Sequence, residues 1–348
     1  MVIVIKTLFV VIAFMCLVSF GADARFLGPG GVPNGAGPVG PSPPAPAVTA
    51  GFTTLALNSD FTQPQPANWL GGCANPGDGN AVSPQFFDDG VPHVWWINLW
   101  WSPVYEGCNV GQITDPVYGG TTLHMPWIVA NAYASVGMTI ETASWDYAPG
   151  VGQSNDYPNN AYYEITYRQS PATAGVYAVL NTWGPQGIQP TAWPTSGYAQ
   201  TIEWDVMEPD AGQLYLSDAA VHNWGNGDAS QLMWVGFGPP GLPSGFDPTQ
   251  YHTFGMRVTS DGVGMEGCSY IDNVFVTCTA LPGGLTPYEV TNGRNFLVLQ
   301  DACDYWNQPS GQCTEGLNED LFVKSVRVWS CATWQTTQCN TTILTGPP

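Results

Sequence analysis

The sequence has 348 residues, of which 27 are acidic and only 7 are Lys or Arg, so its formal net charge is −20 at pH 7. Such a chain offers no favourable field to nucleic acid or to an anionic membrane, and we expect neither as a partner. A sulfated polysaccharide is disfavoured on the same grounds. We expect the protein to work at acidic pH, because protonation of carboxylates relieves their mutual repulsion.

The first 50 residues predict two segments outside the folded domain. Residues 1–24 combine Lys6, an apolar run and the small-residue exit Ala22-Asp23-Ala24, which is typical of a secretory signal peptide. We therefore expect a secreted, extracellular protein. Residues 25–50 are rich in Pro and Gly and nearly free of charge, and this composition predicts a disordered linker because it cannot bury a core.

Residues 51–332 consist of short extended segments separated by Gly, Pro, Asn and Asp. Many of them alternate apolar with polar residues, and none keeps a helical period over a long stretch. This pattern predicts a single all-β domain, an antiparallel β-sandwich, followed by a C-terminal tail at residues 333–348. The candidate strands are SVGMTIETAS, AYYEITYRQ, GVYAVLNTW, AQTIEWDVME, SDAAVHNW, YHTFGMRVT, SYIDNVFV, RNFLVLQD and LFVKSVRVWS.

One of these strands, within residues 201–209 (TIEWDVMEP), carries three carboxylates. Because alternate residues of a strand point to opposite faces, Glu203 and Asp205 share a face. Glu208 lies at an odd spacing from Glu203, and one extra residue near Val206 or Met207 would return it to that face. Such an insertion is a β-bulge, a feature that re-aims side chains beside active sites.

Three acids on one strand leave more than one interpretation open. Two carboxyl groups on one surface are the apparatus of glycoside hydrolysis, but a solvated strand edge or a calcium-binding cluster would show the same residues. Trp204 and Met207 are too apolar for a solvated edge, and this favours the catalytic interpretation. Aromatic residues make up 13% of the chain, and those outside the core could stack on the C–H faces of sugars.

Eight cysteines follow the predicted signal peptide, and none of them forms a C-x-x-C pair. An even number of cysteines in an exported chain indicates disulfides and not metal ligation. Among the many possible connectivities we predict nearest-neighbour pairing. The predicted pairs are Cys73–Cys108, Cys268–Cys278, Cys303–Cys313 and Cys331–Cys339.

The Glu203-x-Asp205-x-x-Glu208 pattern resembles glycoside hydrolase family 16, in its laminarinase-like branch, which carries Glu-x-Asp-x-x-Glu on a bulged strand. Over residues 55–330, AYYEITYR also resembles the family's GRFEARIK strand, and YHTFGMRVTSDGV resembles FHTYAIEWTPDGI. The resemblance implies a concanavalin-like jelly roll with a substrate cleft on its concave face.

For catalysis, the resemblance implies a retaining double displacement. Glu203 would be the nucleophile and Glu208 the general acid/base, with carboxyl groups roughly 5 to 5.5 Å apart. Asp205, between them, would hold Glu203 by a hydrogen bond and tune its charge.

For substrate binding, the resemblance implies that GVYAVLNTW takes the place of the family's Trp-rich platform, and we expect Trp183 or Tyr177 to stand in for the missing Trp. His222 is a further candidate sugar contact, with a structural histidine as the alternative. Trp204 is also a candidate, although its position opposite the acids favours the core.

Lys324 occupies the position at which the family's closing strand often carries a calcium-binding Asp. Because an ammonium group cannot ligate a cation, we expect no calcium there, and we expect neither a metal nor another cofactor at the site. The implied partner is a neutral polysaccharide, and we expect a monomer.

Three classes of function remain open from the sequence. The favoured one is an endo-β-glycosidase that hydrolyses β-1,3-glucan of laminarin type or mixed-linkage β-1,3-1,4-glucan, with a galactan-directed activity as its rival. The second is a non-catalytic carbohydrate-binding sandwich, against which the presence of all three carboxylates argues. The third is a transglycosylase, in which a sugar replaces water as the acceptor.

Overall fold

A computed structural model describes residues 40–62, 96–98, 111–125, 137–141, 157–170, 183–187, 202–209, 217–223, 229–235, 241–284, 294–302, 320–333, 339 and 343. The β-structure belongs to the unit Ser42–Pro348. Across these ranges the structure has one short helix, α1 (Ala45–Thr49), and sixteen strands. No helix within them is long and apolar enough to cross a membrane.

The strands form two antiparallel sheets. The first has the order β14-β13-β12-β7-β16-β4-β3, with β1 paired to β16. Its strands are β1 (Thr54–Ser59), β3 (Gly111–Thr114), β4 (Thr121–Met125), β7 (Ala161–Gln169), β12 (His252–Ser260), β13 (Met265–Ile271), β14 (Val274–Ala280) and β16 (Leu321–Ser330).

The second sheet has the order β11-β10-β9-β8-β15-β5-β2, with β6 paired to β15. Its strands are β2 (Trp96–Asn98), β5 (Gly137–Glu141), β6 (Tyr157–Pro158), β8 (Trp183–Gly187), β9 (Ile202–Pro209), β10 (Ser217–Asn223), β11 (Ala229–Val235) and β15 (Arg294–Ala302).

The two sheets pack face to face around a shared core. Ile202 and Trp204 of β9 lie in the same buried cluster as Tyr163 and Ile165 of β7. The indole of Trp204 reaches across to β13, where a Cβ atom on Gly267 would overlap it. Glycine at this position therefore allows the two sheets to approach each other closely. Because two antiparallel sheets share one core, the predicted antiparallel β-sandwich is confirmed.

A second buried cluster covers the outer face of the first sheet. Tyr162 and Trp329 are register partners on β7 and β16, and they pack with Ala47 of α1 and with Phe52. Ala47 is fully buried. The predicted linker of residues 25–50 is therefore too long at its C-terminal end, because short apolar side chains there find a partner surface on the sheet.

Two of the predicted disulfides are confirmed. Cys268 and Cys278 are bonded across β13 and β14, and Cys331 is bonded to Cys339. Cys339 is buried and its carbonyl accepts a hydrogen bond from the side chain of Asn160, so this part of the predicted tail is attached to the domain. The cysteines of the other two predicted pairs lie outside the described residues.

The predicted strands match the structure best where alternation is long. The segments AYYEITYRQ and LFVKSVRVWS coincide with β7 and β16. The predicted strand SYIDNVFV is wrong, because Asp272 and Asn273 have positive φ angles of 50° and 65° and turn β13 into β14. Asp and Asn tolerate this left-handed conformation, which two-residue hairpin turns require.

Candidate active site

Strand β9 carries the three acids of the candidate site, and its pairing with β10 contains the predicted extra residue. Asp205 is opposite Ala220, and Glu208 is opposite Asp218. Between these two pairs, two residues of β9 therefore face one residue of β10. This is the two-against-one arrangement of a β-bulge, and the predicted bulge is confirmed.

The two residues in the bulge, Val206 and Met207, both lie in the core cluster. Glu203 is half-buried, and Asp205 follows it on the same face because Trp204 between them faces the core. The β10 partners of the three acids are the alternate residues His222, Ala220 and Asp218. The register thus places the three acidic residues on one face of the second sheet, which is its outer face.

Asp205 is 1% exposed, yet neither of its carboxylate oxygens has a hydrogen-bond partner among the described residues. Nε2 of His222 lies 3.4 Å from Oδ2, which is an ion-pair contact without hydrogen-bond alignment. An unsatisfied buried acceptor costs about 1–3 kcal/mol of stability, and a charged one costs more. Such a group needs an explanation other than stability, and functional sites commonly supply one.

Glu203 lies in a row of residues that crosses the second sheet. Its register partner on β10 is His222, and its partner on β8 is Gln186. The row continues to Ser230 on β11 and to Phe296 on β15. Polar residues therefore flank Glu203 on both neighbouring strands, as expected for a site that binds a hydroxyl-rich ligand.

The predicted substrate contacts have different positions. His222 is half-buried with its side chain 26% exposed, and it lies beside Asp205 and opposite Glu203. Trp183 is on β8, where its register partner is the core residue Leu299. Tyr177 lies outside the described residues.

Trp204 requires a correction as a substrate contact. Its side chain is fully buried in the core and presents no surface to a sugar. The alternation along β9 explains this, because Trp204 lies between two residues of the opposite face. The core interpretation of Trp204 is the one that the structure supports.

The described side chains include one cluster of potential metal ligands. Among the described residues, Glu266, Cys268 and Cys278 are close enough to share an ion, but the two cysteines form a disulfide and have no thiolate to offer. Lys324 is exposed on β16, with its Nζ 5.6 Å from the centre of the Tyr251 ring. The prediction that no calcium binds at Lys324 stays a prediction.

Sequence reasoning missed one neighbour of the site. Gln186 is opposite Glu203 although the two residues are far apart in the sequence. The segment WGPQG around Gln186 contains two glycines and a proline, so it shows no strand alternation. Only the pairing of β8 with β9 brings Gln186 to the site.

No family model matches the sequence, and no curated protein matches it. Among solved structures, the chain is similar to a GlcNAcα1-4Gal-releasing endo-β-galactosidase from Clostridium perfringens, with 15% identity and a TM-score of 0.49. The match covers 84% of this chain and 65% of that one, so the chain spans about two thirds of the galactosidase.

The chain is also similar to a structure from work on endo-acting O-glycanases of the human gut microbiota, with 17% identity, a TM-score of 0.47, and coverage of 80% of this chain and 99% of that one. A catalytic domain of an endo-1,3-β-glucanase (laminarinase) from Thermotoga petrophila has 17% identity, a TM-score of 0.43, and coverage of 80% and 98%. At these identities and TM-scores, the similarity concerns the course of the chain and assigns no activity to this protein.

Proposed function

We propose that the protein is a secreted, retaining endo-β-glycosidase that hydrolyses a neutral polysaccharide. The observation that carries the proposal is the bulge in β9, which puts Glu203, Asp205 and Glu208 on one face of the sheet. A strand with this spacing and no bulge would divide its acids between cleft and core. The Glu-x-Asp-x-x-Glu pattern and its bulge together resemble the laminarinase-like branch of glycoside hydrolase family 16.

In the proposed reaction, the carboxylate of Glu203 attacks the anomeric carbon of the sugar. The carboxylic acid of Glu208 donates its proton to the glycosidic oxygen, and the leaving chain departs. The ionised Glu208 then takes a proton from water, which attacks the covalent glycosyl-enzyme and frees Glu203. Two inversions at the anomeric carbon give net retention.

Asp205 and His222 support Glu203 in this proposal. Asp205 is the buried neighbour of Glu203 on the same strand face, so its charge acts on Glu203 through a medium that screens weakly. His222 lies opposite Glu203 and within 3.4 Å of Asp205, where its half-exposed ring can also contact a sugar hydroxyl. Tyr177 remains a candidate for stacking on the sugar, whereas Trp183 is a weaker one, because its register partner is the core residue Leu299.

The favoured substrate is a β-1,3-glucan of laminarin type or a mixed-linkage β-1,3-1,4-glucan. The net charge of −20 disfavours a polyanionic chain, because the field of the protein repels it. The choice among neutral polymers follows the laminarinase-like resemblance, and a galactan is the alternative within the class.

The test is the release of reducing sugar from laminarin, lichenan, agarose and xyloglucan between pH 3 and pH 8. Glu203→Gln and Glu208→Gln should each abolish release from laminarin, whereas Asp261→Asn should keep it, since Asp261 lies on the exposed turn between β12 and β13 of the other sheet. Binding of a polymer without release of reducing sugar would contradict the enzyme and favour a non-catalytic carbohydrate-binding sandwich. Release from agarose alone would change the substrate to a galactan, and an activity maximum above neutrality would contradict the acidic working pH.

A further inference from the structure

A buried ion pair fixes the turn that joins β3 to β4. Nε and Nη2 of Arg168 donate to the two oxygens of Asp115 at 2.7 and 2.8 Å, and both side chains are 1% exposed. The hydroxyl of Tyr251 donates to Oδ2 at 2.6 Å, and the amides of Val117 and Tyr118 donate to Oδ1 at 2.7 and 2.9 Å. The backbone of the turn is therefore preorganised before any ligand arrives.

The turn holds two apolar residues out of the fold. Val117 is 65% exposed and Tyr118 is 46% exposed, so both side chains are accessible on a backbone that is held firmly. The Tyr118 ring meets the Tyr251 ring edge to face at 5.5 Å, and its hydroxyl donates to Oε1 of Gln250. The exposed ring thus has a defined orientation.

A pocket of about 380 Å³ opens beside this ring. It combines aromatic surface with amide, hydroxyl and ammonium groups, and Nζ of Lys324 lies 5.6 Å from the centre of the Tyr251 ring. Its size is within the range of small-molecule sites. The lining residues are Tyr118, Gly119, Gly120, Thr121, Gln250, Tyr251 and Lys324.

The pocket lies on the opposite side of the sandwich from Glu203. The guanidinium of Arg168 lies against the rings of Tyr118 and Tyr251. On β7, Arg168 follows the core residue Tyr167, so it points to the outer face of the first sheet, as does its register partner Phe322. The acids of β9 are on the outer face of the second sheet. Two stacked sheets, about 10 Å apart, separate the two places, so one sugar unit cannot touch both.

We propose that this pocket is a second saccharide-binding site, which holds a unit of a neutral polysaccharide chain without cutting it. The exposed ring of Tyr118 offers a flat apolar face to the C–H groups of a sugar, and Gln250, Thr121 and Lys324 offer partners to its hydroxyls. None of the seven lining residues that the structure describes is acidic, so they offer no pair of carboxyl groups for hydrolysis.

A neutral sugar fits the pocket better than an anion. Lys324 is a single ammonium group on a chain whose net charge is −20, and the field of the whole protein opposes an anionic ligand. The choice of a glucan as the first probe rests on the proposed function, whereas the site itself rests on the pinned turn and the pocket.

The test is hydrogen–deuterium exchange of the Glu203→Gln protein with and without laminarihexaose, because this variant should bind the sugar without consuming it. Peptides covering residues 115–121 and 247–252 should gain protection, and so should the peptide covering β9. Tyr118→Ala in the same background should weaken binding at the turn about tenfold, since a stacking face is lost, and keep the protection of β9. Val263→Ala, which trims a valine that is 84% exposed on another turn, is the matched control and should change neither signal.

The outcomes separate this site from the proposed active site. Protection of β9 without protection of the turn overturns the second site and leaves the glycosidase intact. Protection of the turn alone keeps the second site and counts against the active site. Repeating the exchange with an agaro-oligosaccharide extends the test to neutral galactans. If hexagalacturonate, an anionic sugar chain, is the only probe that protects the turn, the proposal of a neutral ligand is wrong.

Discussion

Two buried aspartates, one on each side of the sandwich, show how differently the same residue is used. Asp115 and Asp205 are 2% and 1% exposed. Asp115 accepts hydrogen bonds from Arg168, from Tyr251 and from two backbone amides. Asp205 accepts none from the residues that the structure describes, and its near neighbour is the imidazole of His222.

The comparison separates a structural acid from a functional candidate. Burial alone would raise the pKa of Asp115, but the hydrogen bonds from Arg168, Tyr251 and the backbone outweigh it and hold the pKa well below its usual range. The charge of Asp115 is thus fully used by the fold. The carboxylate of Asp205 has no such use among the described residues and lies on a strand face with two other acids, which is why we propose a role for it in the chemistry.

The largest effect that we expect is a loss of stability in the Asp115→Asn variant. The variant leaves the buried guanidinium of Arg168 without its counter-charge, and we expect a loss of about 3 kcal/mol in the free energy of unfolding at pH 7. Urea unfolding of the parent and the variant measures this loss. A loss below about 1 kcal/mol would show that the ion pair does not hold the turn.

The pH dependence of that loss has a fixed sign. The pKa of Asp115 is lowered in the fold, so its contribution is present above the unfolded value of about 3.9 and disappears as the pH falls through the folded value. The gap between the parent and Asp115→Asn should therefore be constant from pH 7 to pH 5 and shrink in stronger acid.

Asp205→Asn should show the reverse pattern, with a smaller effect on stability and a clear effect on rate. The carboxylate has no accepted hydrogen bonds to lose among the described residues, so we expect the free energy of unfolding to fall by less than about 1 kcal/mol, or to rise because a buried unsatisfied charge is removed. We expect kcat to fall at least about tenfold with KM nearly unchanged, because Asp205 acts on Glu203 and not on the bound sugar. A large loss of stability with an unchanged kcat would make Asp205 a second structural acid.

The smallest expected effect concerns Glu164, on the outer face of the first sheet. Burial raises the pKa of Glu164, and the charge of Arg327 and the hydrogen bond from the Trp329 indole only partly oppose it. Keeping this carboxylate ionised costs stability as the pH rises from about 4.3 through the raised pKa. Glu164→Gln should therefore raise the thermal midpoint at pH 7.5 and leave it nearly unchanged at pH 4.

Differential scanning calorimetry at the two pH values checks this. Arg327 keeps a partner in the variant, since its Nε also donates to Oδ1 of Asn58 at 2.9 Å. An equal shift at both pH values would mean that the raised pKa of Glu164 plays no part in it.

The sequence predicts the site better than its surroundings. An odd spacing between Glu203 and Glu208 is enough to predict a bulge, because the two-residue period of a strand allows few alternatives. The bulge, the core position of Trp204 and the two hairpin-range disulfides all follow from local rules and are found.

Contacts between distant parts of the chain are what local rules miss. Arg168 meets Asp115 across 53 positions, and Tyr251 meets it across 136. Gln186 reaches Glu203 only because β8 pairs with β9. The packing of α1 was missed for the same reason, since Ala47 is buried by residues of β7 and β16 that no composition average reveals.

Trapping the glycosyl-enzyme is the most direct test that Glu203 is the nucleophile. Glu208→Gln should react with an aryl β-glycoside of the oligosaccharide that the polymer panel identifies, because a good leaving group needs no proton, and the missing base should then slow hydrolysis of the intermediate. Peptide mass spectrometry should find the sugar on Glu203. An adduct on another residue, or release of the aryl group with no adduct and with inverted product, would contradict the assignment.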